Sequence, residues 1–534
     1  MASTPRGYLV HRGSSTKESS AHSRPPPDGF TGGFYAGVMR RTKILATVGP
    51  ATDREDRLLR LLEAGTDAFR INFSHGTSQE HRNVLRRIHQ VSRKARREVP
   101  IVVDVQGPKL RIGEIAGGSV HLARGNRWIL DQEPMPGDGT RSSIEIPSFQ
   151  HAARRGDPVL LGDGDVELTV ESADASRIET RVVNSGVVRS HSGVSLPRAH
   201  LRTTAFGPKD RDDAALALEE GFDYLALSFV RNEQDVLLAR RWLDARPGGS
   251  SVGIIAKIER AEALGAIDGI LRASDGIMVA RGDLGVELPL ERLALAQKML
   301  VRKANGAGRF SIVATQMLLS MLTSPRPTRA EATDVANAVL DGADAMMLSE
   351  ESAVGQYPFE AVRWLDRIAR ATEVAFDPRP WRGLVHSREP GGPELSVARA
   401  AVDLAESVRA RAIVTPTHSG RTARLIAALR PTCPVLALSN SESVRRRLAL
   451  VRAVRSFPAA AHSDLQSLRQ RSLELLSVGG LAPRGPLVLT AGYPVEGRPT
   501  NLVTIVEADE SHRSRPSDPP VRVRRTGPRD VHEQ

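Results

Sequence analysis

The stretch GIIAKIE, residues 253–259, ends an apolar run on a lysine and a carboxylate two positions apart. A strand alternates faces with period two, so Lys257 and Glu259 share one face. Similar endings recur along the chain. AFRIN (68–72) closes on Arg70 and Asn72, IVVDV (101–105) holds Asp104, and YLALSF (224–229) holds Ser228. GIMVA (276–280) runs into Arg281 and Asp283, SIVAT (311–315) ends on Thr315, and AMMLS (345–349) on Ser349. Gathered in one place, these side chains make a polar ring. Its acids suit a hard divalent cation and its cations suit phosphate. Phosphoryl transfer asks for little else, because positioning and positive charge around the moving group carry most of the catalysis.

The elements that must position these residues are short and apolar. With ILATV (44–48) the runs number eight, most of them followed by a helical pattern. Such runs fit parallel strands buried on both faces, and eight alternating with helices predict an α/β fold, a closed (β/α)8 TIM barrel. One gap breaks the rhythm. Residues 107–208 are rich in Gly and Val with alternating patterns, and predict a small β-barrel domain inserted as a lid between barrel parts 39–106 and 209–385. A new alternation over 390–510 predicts a C-terminal α/β domain. Residues 1–38 and 511–534 lack periodicity and are expected to be disordered extensions.

Composition narrows the function classes. The chain has 534 residues and a net charge of +12. Residues 1–41 hold six basic and two acidic side chains, and residues 511–534 six and three, so most of the excess sits in the tails. No basic patch interleaved with aromatics appears, which argues against nucleic acid as a partner. No apolar run is long enough to span a bilayer, so no membrane partner is expected. A single cysteine, Cys433, excludes an intramolecular disulfide framework and fits a cytoplasmic setting. Cys433 is expected to be a small core residue, and His81 and His89 solvated helix residues. Thr328, with Glu331 three positions on, reads as a helix cap.

Four stretches, INFSHGT (71–77), SDGIMVARGDLGVELP (274–289), ATQMLLSM (314–321) and PRPTRAEATDVANAVLDGADAMMLSEESAVGQYP (325–358), resemble pyruvate kinase. The resemblance runs from about residue 39 to 508. It implies transfer of a phosphoryl group from phosphoenolpyruvate to ADP, giving pyruvate and ATP. It implies that Lys257 stabilises the moving phosphoryl group and the enolate, and that Glu259 and Asp283 bind Mg2+, with Mn2+ as the alternative. The backbone of Arg281, Gly282 and Asp283 would hold the substrate carboxylate with the Thr315 hydroxyl. Thr315 and Ser349 match the proton path to the enolate carbon. Arg70, Asn72, His75, Arg111 and Lys209 match nucleotide and phosphate contacts, and Pro50 a loop near the adenine. A homotetramer is implied too. MRRTKILATVGP at Met39 resembles the start of shorter members, which leaves open whether residues 1–38 are translated.

Two rival classes share parts of this pattern: another barrel enzyme of phosphoenolpyruvate or pyruvate chemistry, such as an aldolase-like lyase, and a non-catalytic regulatory or RNA-binding protein, suggested by the basic charge alone. The ADP-side residues and the insertion argue against the first, and intact Lys257, Glu259, Asp283 and Thr315 against the second.

The chain departs from the family pattern at DVQGPKLR (104–111). The K+ site of potassium-dependent members matches Asn72, Ser74, Asp104 and the carbonyl of Val105. Lys109 stands where those members carry Glu. A fixed ammonium there would supply the missing charge and repel K+, so activity without K+ is expected. MLSEES (347–352) and SHSGVSLPRAH (190–200) are further departures. In the C-terminal domain TPTHSGRTAR (415–424) follows a strand and opens a helix. Thr417, Ser419, Gly420, Arg421 and Thr422 are expected to bind a phosphorylated effector, completed by the loop 491–501.

Overall fold

Barrel strands with two buried faces need apolar residues along most of their length, and the chain supplies them. The computed structural model describes residues 39–146, 153–162, 164–197, 204–386, 393–459, 465–478, 485–492 and 500–508. The expected tails at 1–38 and 511–534 lie outside these residues. The chain opens with β1 (Lys43–Val48), α1 (Glu55–Ala64), β2 (Ala68–Asn72), α2 (Ser78–Ala95) and β3 (Ile101–Asp104). The insertion follows: β4 (Leu110–Arg111), β5 (Ser119–Leu122), β6 (Arg127–Asp131), β7 (Arg141–Ser143), β8 (Pro158–Leu161), β9 (Val166–Ala173), β10 (Arg177–Val182), β11 (Gly186–Arg189) and β12 (Gly193–Ser195). The barrel resumes with α3 (Pro208–Glu220), β13 (Tyr224–Leu227), α4 (Glu233–Asp244), β14 (Gly253–Ile258), α5 (Ala261–Ala273) and β15 (Gly276–Ala280). It finishes with α6 (Arg281–Glu287), α7 (Leu290–Gly306), β16 (Phe310–Ala314), α8 (Arg329–Leu340), β17 (Ala345–Leu348), α9 (Glu350–Ala353), α10 (Pro358–Glu373) and α11 (Arg379–His386).

The eight expected strands close into one parallel barrel in the order β1-β17-β16-β15-β14-β13-β3-β2. Side chains alternate between two cores. Ile44, Phe69, Val103, Ile254 and Ile277 pack outward against the helices. Leu45, Val102, Ile255, Met278 and Ile312 fill the interior. Thr328 caps α8 and Glu331 completes the capping box, as its spacing predicts.

The insertion forms a seven-stranded sheet, β4-β12-β8-β9-β10-β6-β7, with a β11-β5 ribbon beside it. A single antiparallel bridge, Ile112 to Ile144, joins the ends of β4 and β7, so the sheet curls back into a small barrel. Trp128, Leu130, Leu168 and Ile178 fill its core. At its first junction Gly107 has φ +64, and a Cβ there would meet Ser228 at 3.0 Å. Only glycine turns the chain this way without strain or collision. The Gly107 N–H is held by Asp210 at 2.9 Å, which also takes the Gly207 N–H at the second junction. One α3 carboxylate therefore anchors both connections.

The C-terminal domain comprises α12 (Pro393–Ser407), β18 (Ile413–Pro416), α13 (Arg421–Ala428), β19 (Val435–Ser439), α14 (Glu442–Leu448), β20 (Val454–Pro458), α15 (Leu465–Val478), β21 (Gly485–Ala491) and β22 (Leu502–Ala508). Its sheet runs β20-β19-β18-β21-β22, with β22 antiparallel. Cys433 is buried in this domain's core, as expected, and burial pushes its thiol up to about 12.

Candidate active site

The inward register of the strands explains where the polar ring lies. Leu45, Ala68, Val102, Ala226, Ile255, Met278 and Met347 face the barrel interior. Two residues further along, the same faces carry Thr47, Arg70, Asp104, Ser228, Lys257, Ala280 and Ser349. On most of the strands a polar side chain therefore comes last, and these converge at the C-terminal end of the barrel, the face where barrel enzymes place their chemistry.

They converge as a charge network. Asp104, 1% exposed, takes Arg70 Nε at 2.6 Å and Lys257 Nζ at 3.0 Å. Ser228 Oγ lies 2.7 Å from Lys257 Nζ. Lys257 also pairs with Glu259 at 2.9 Å. The two residues share a strand face and touch, because each is the other's nearest counter-charge. Burial works against the Lys257 ammonium, but Asp104 and Glu259 outweigh it and hold the ammonium above its ordinary value. Burial also works against the Asp104 charge, yet Lys257 and Arg70 keep its carboxyl below the usual range. Glu259 goes the other way: burial pushes its carboxyl up, and Asp283 and Asp104 add to that against Lys257. A second positive charge at Glu259 and Asp283 would relieve this crowding.

A cavity of about 830 Å³ opens onto the network, lined among others by Pro50, Asn72, His75, Asp283, Thr315 and Ser349. Strained backbone accompanies Thr315 on its wall and Phe229 in the neighbouring crevice. Thr315 and Gln316 have φ +69 and +53, and Phe229 has φ +56, values uncommon for residues other than glycine. The turn aims Thr315 Oγ1 at the Gly282 N–H, 2.7 Å away, and at the Ala314 carbonyl, 2.6 Å. The Phe229 N–H donates to Glu259 at 2.7 Å. The Ser349 hydroxyl is buried without a hydrogen-bond partner, an open valence on the cavity wall.

Other expected residues are placed differently. The Arg281 side chain points into the scaffold, bonding Asp334 at 2.6 Å and the Thr315 carbonyl at 2.8 Å. The Gly282 N–H, expected to hold a carboxylate, is taken by Thr315. Asn72 Oδ1 accepts from the Ser74 N–H at 3.2 Å, and the Val105 carbonyl accepts from Ser228 Oγ at 2.7 Å. Lys109 does not bond this Asn72–Asp104 group as its substitute charge; its ammonium pairs with Asp283 at 2.9 Å. Its field still reaches the rim: burial, then Arg111, Arg70 and Lys109, depress His75 below its ordinary value. Arg111, on β4 of the insertion, donates to the His191 carbonyl at 3.0 Å. Lys209 bonds Asp213 at 2.6 Å and the Phe73 carbonyl at 3.2 Å, so the barrel fixes it rather than the insertion.

His81 is not solvated. It is 6% exposed, stacks on Phe73 with ring centroids 3.9 Å apart, and meets the His75 carbonyl at 2.8 Å. It props the loop that carries His75. His89 lies 2.9 Å from the Gly221 carbonyl. Sequence reasoning missed Glu351, which takes the Leu318 N–H at 3.0 Å and the Ser349 N–H at 2.8 Å and ties the ends of β16 and β17 together. The departure at MLSEES drew attention to the segment but not to that role. In the C-terminal loop Thr417 Oγ1 accepts the Gly420 N–H at 3.0 Å, Ser419 Oγ meets the Arg421 N–H at 3.4 Å, and Thr422 pairs with Thr500 at 3.0 Å. Most of the companion loop, 493–499, lies outside the described residues.

Among the described residues no three or more His, Cys, Asp or Glu side chains form a metal cage. Glu259 and Asp283 still fit a divalent ion that keeps waters and substrate oxygens as its other ligands, the habit of Mg2+. Both face the crevice between barrel and insertion.

A closed parallel barrel with a jointed β-insertion, bearing buried cations and two hard-oxygen acids at its mouth, defines a phosphotransferase class of site. The comparisons carry this further. Residues 39–362 match the family model described as pyruvate kinase, barrel domain, and residues 395–506 that of pyruvate kinase, alpha/beta domain. The chain is 40% identical over 481 residues to a pyruvate kinase of Methylorubrum extorquens, covering 89% of this chain and 99% of that one. It is 41% identical over 467 residues to a pyruvate kinase of Mycobacterium tuberculosis, with 86% and 96% covered. A crystal structure of a Cryptosporidium parvum pyruvate kinase superposes with a TM-score of 0.83 at 35% identity, covering 88% and 96%. The chain belongs to the pyruvate kinase family.

Proposed function

We propose that this chain moves the phosphoryl group of phosphoenolpyruvate to ADP, and that the mouth residues divide the work as follows. The phosphorus–oxygen bond of phosphoenolpyruvate breaks, a β-phosphate oxygen of ADP takes the phosphorus, and the enolate left behind gains a proton at carbon to become pyruvate. Lys257 sits against the leaving enolate oxygen and the moving phosphoryl group, held in its charged form by Asp104. Arg70, fixed on the same carboxylate, adds a second cation. Glu259 and Asp283 would hold Mg2+, or Mn2+ in its place, which neutralises phosphate charge when bound. Thr315 shapes the seat for the substrate carboxylate beside the Arg281–Asp283 backbone. The open hydroxyl of Ser349 faces the enolate carbon and, with Thr315, serves the proton path. Asn72, His75, Arg111, Lys209 and Pro50 belong to the nucleotide side. The observation that carries this reading is the Arg70–Asp104–Lys257–Glu259 network on the cavity wall.

Activity without K+ belongs to the same proposal. Its support is the Val105 carbonyl already bonded by Ser228 and the Lys109 ammonium, which is held on Asp283 and whose charge reaches His75, three residues beyond Asn72. A homotetramer is proposed as well, supported by Leu290 and Leu295 of α7, 74% and 67% exposed. A phosphorylated effector at 417–422 is supported by the exposed His418, Ser419 and Arg421 at the start of α13. A cytoplasmic location follows from the glycolytic reaction. Pyruvate release from phosphoenolpyruvate, ADP and Mg2+ in Tris buffer, with and without K+, tests the core. Release in both buffers is expected; release only with K+ overturns the role given to Lys109.

A further inference from the structure

Six carboxylates line the cavity at the barrel mouth, and their partners set one of them apart. Asp104, Glu259 and Asp283 are held by Arg70, Lys257 and Lys109. Asp53 pairs with Arg87 at 3.3 Å, and Glu80 takes the Thr77 N–H at 2.7 Å in the capping box of α2. Glu350 is exposed, and among the described residues its side chain has no hydrogen-bond or ion-pair partner. A carboxylate only accepts hydrogen bonds. A free one facing a ligand that carries phosphates is repelled by them and has to meet a part of the ligand that donates.

Its place in the ring says which part. β14, which carries Lys257, stands opposite β1 in the order of the eight strands. The reacting phosphoryl group and the acids proposed for the metal belong to the β14 side. β1 runs on into Pro50 and pairs with β17, which runs into Glu350, and with β2, which runs into the His75 loop. α9 is fastened to the Pro50 turn: the Ala51 N–H bonds the Ala353 carbonyl at 2.8 Å, and a Cβ on Gly49 would stand 2.7 Å from that same oxygen. The Glu350 charge also reaches His75, against the burial and the cations that depress its imidazole. Pro50, His75 and Glu350 therefore wall one corner, across the barrel from Lys257, where the nucleoside end of a bound diphosphate would lie.

We propose that Glu350 selects the nucleobase: its carboxylate accepts a hydrogen bond from the 6-amino group of adenine, so that ADP is taken over diphosphates of 6-oxopurines. A 6-oxopurine sets a carbonyl oxygen against the carboxylate, and two acceptors face to face repel. Glu350 is a specificity-determining residue in this scheme and has no part in the bond that breaks. The inference deepens the reading of Pro50 and His75 as the nucleotide side and rests on it.

The test uses ADP and inosine diphosphate, whose base is the same purine with a carbonyl oxygen at that position. kcat/KM for each is measured at saturating phosphoenolpyruvate and Mg2+ on wild type, Glu350→Gln and Glu350→Ala. Binding of each nucleotide to the folded full chain is read in parallel by isothermal titration calorimetry. Wild type is expected to prefer ADP by about tenfold or more, the range for a hydrogen bond to a charged group. Glu350→Gln can turn its amide N–H to the carbonyl and is expected to bring the two nucleotides within about twofold of each other. Glu350→Ala is expected to cut the preference about three- to tenfold. Glu350→Gln keeping the wild-type preference overturns the base reading. An equal loss for both nucleotides in Glu350→Ala also overturns it and puts the carboxylate on the ribose. Wild type that binds ADP preferentially, loses that preference in Glu350→Gln and yet releases no pyruvate keeps this inference and overturns phosphoryl transfer. Wild type that binds neither nucleotide overturns the nucleotide side, and this inference with it.

Discussion

The two ends of the barrel each hold buried ion pairs, and the pairs are built differently. At the base, Asp344 is bonded by Arg430 at 2.8 and 3.1 Å and also takes the Ser311 N–H at 3.0 Å. Glu373 takes the N–H groups of Arg41 and Thr42 and faces Arg452. Asp223 takes the Ile101 N–H at 2.9 Å and Arg446 at 2.8 Å. Arg430, Arg446 and Arg452 all come from the C-terminal domain. The base carboxylates are thus filled by backbone N–H groups and faced by guanidiniums, and Arg430 grips Asp344 with both terminal nitrogens, a planar geometry that suits a permanent ion pair. At the mouth, Asp104 is held by side chains alone, its cations come from neighbouring strand ends, and the pairs border a cavity. The same strands are fastened at one end and left open to exchange partners at the other, where loops can hold a substrate.

Substitutions at the base should then cost stability, and those at the mouth should cost turnover. Arg430→Met leaves Asp344 buried without its cation and is expected to lose about 3–5 kcal/mol of folding stability, read by denaturant unfolding. The surviving folded protein should turn over nearly as wild type. A large drop in kcat with unchanged stability would break the comparison. Thr315→Val removes the hydroxyl from the Gly282 N–H. It is expected to lower kcat about tenfold or more, by analogy with the loss of one positioned hydrogen bond at a reacting group, and to cost about 1–3 kcal/mol for the unsatisfied N–H. A change confined to stability would place Thr315 with the scaffold.

His75 sharpens the contrast through pH. Its imidazole is depressed in the fold by burial and by Arg111, Arg70 and Lys109. The fold therefore favours the neutral ring. The stability this contributes is fully present above the ordinary value of about 6.5 and is lost as pH falls through the folded value. An NMR titration should find the His75 midpoint below 6.5, moving upward in Lys109→Met; a midpoint at or above 6.5 would contradict the field at the rim. The smallest effect is expected at Cys433. Its thiol, pushed up to about 12 by burial, should resist alkylation in the native protein and react only on unfolding.

The barrel was legible because burial on both faces leaves a continuous apolar signature, and each inward-facing polar residue at a run's end marks the mouth. GIMVA at 276–280 matches β15 residue for residue, and AFRIN at 68–72 matches β2. The insertion was legible as a change of period inside a broken rhythm. Partner choice was not. Lys109 and Asp283 are separated by 174 residues, and Arg430 and Asp344 by 86. Nothing local to an Arg or Lys names a partner so far along the chain. In an arginine-rich sequence the few buried guanidiniums also look like the many solvated ones. His81 was misread for a related reason. Its helical position fits the surface, and only the stacked Phe73, brought in by the preceding loop, shows that it is covered.

The most direct test of the account is pyruvate release from phosphoenolpyruvate, ADP and Mg2+ by wild type and by Lys257→Met, each shown to be folded by circular dichroism. The account predicts turnover by wild type and a loss of about a thousandfold in kcat for the variant, in the range seen when a charge-stabilising group is removed from a reacting centre. Lys257→Met turning over like wild type would contradict the central role given to the mouth network.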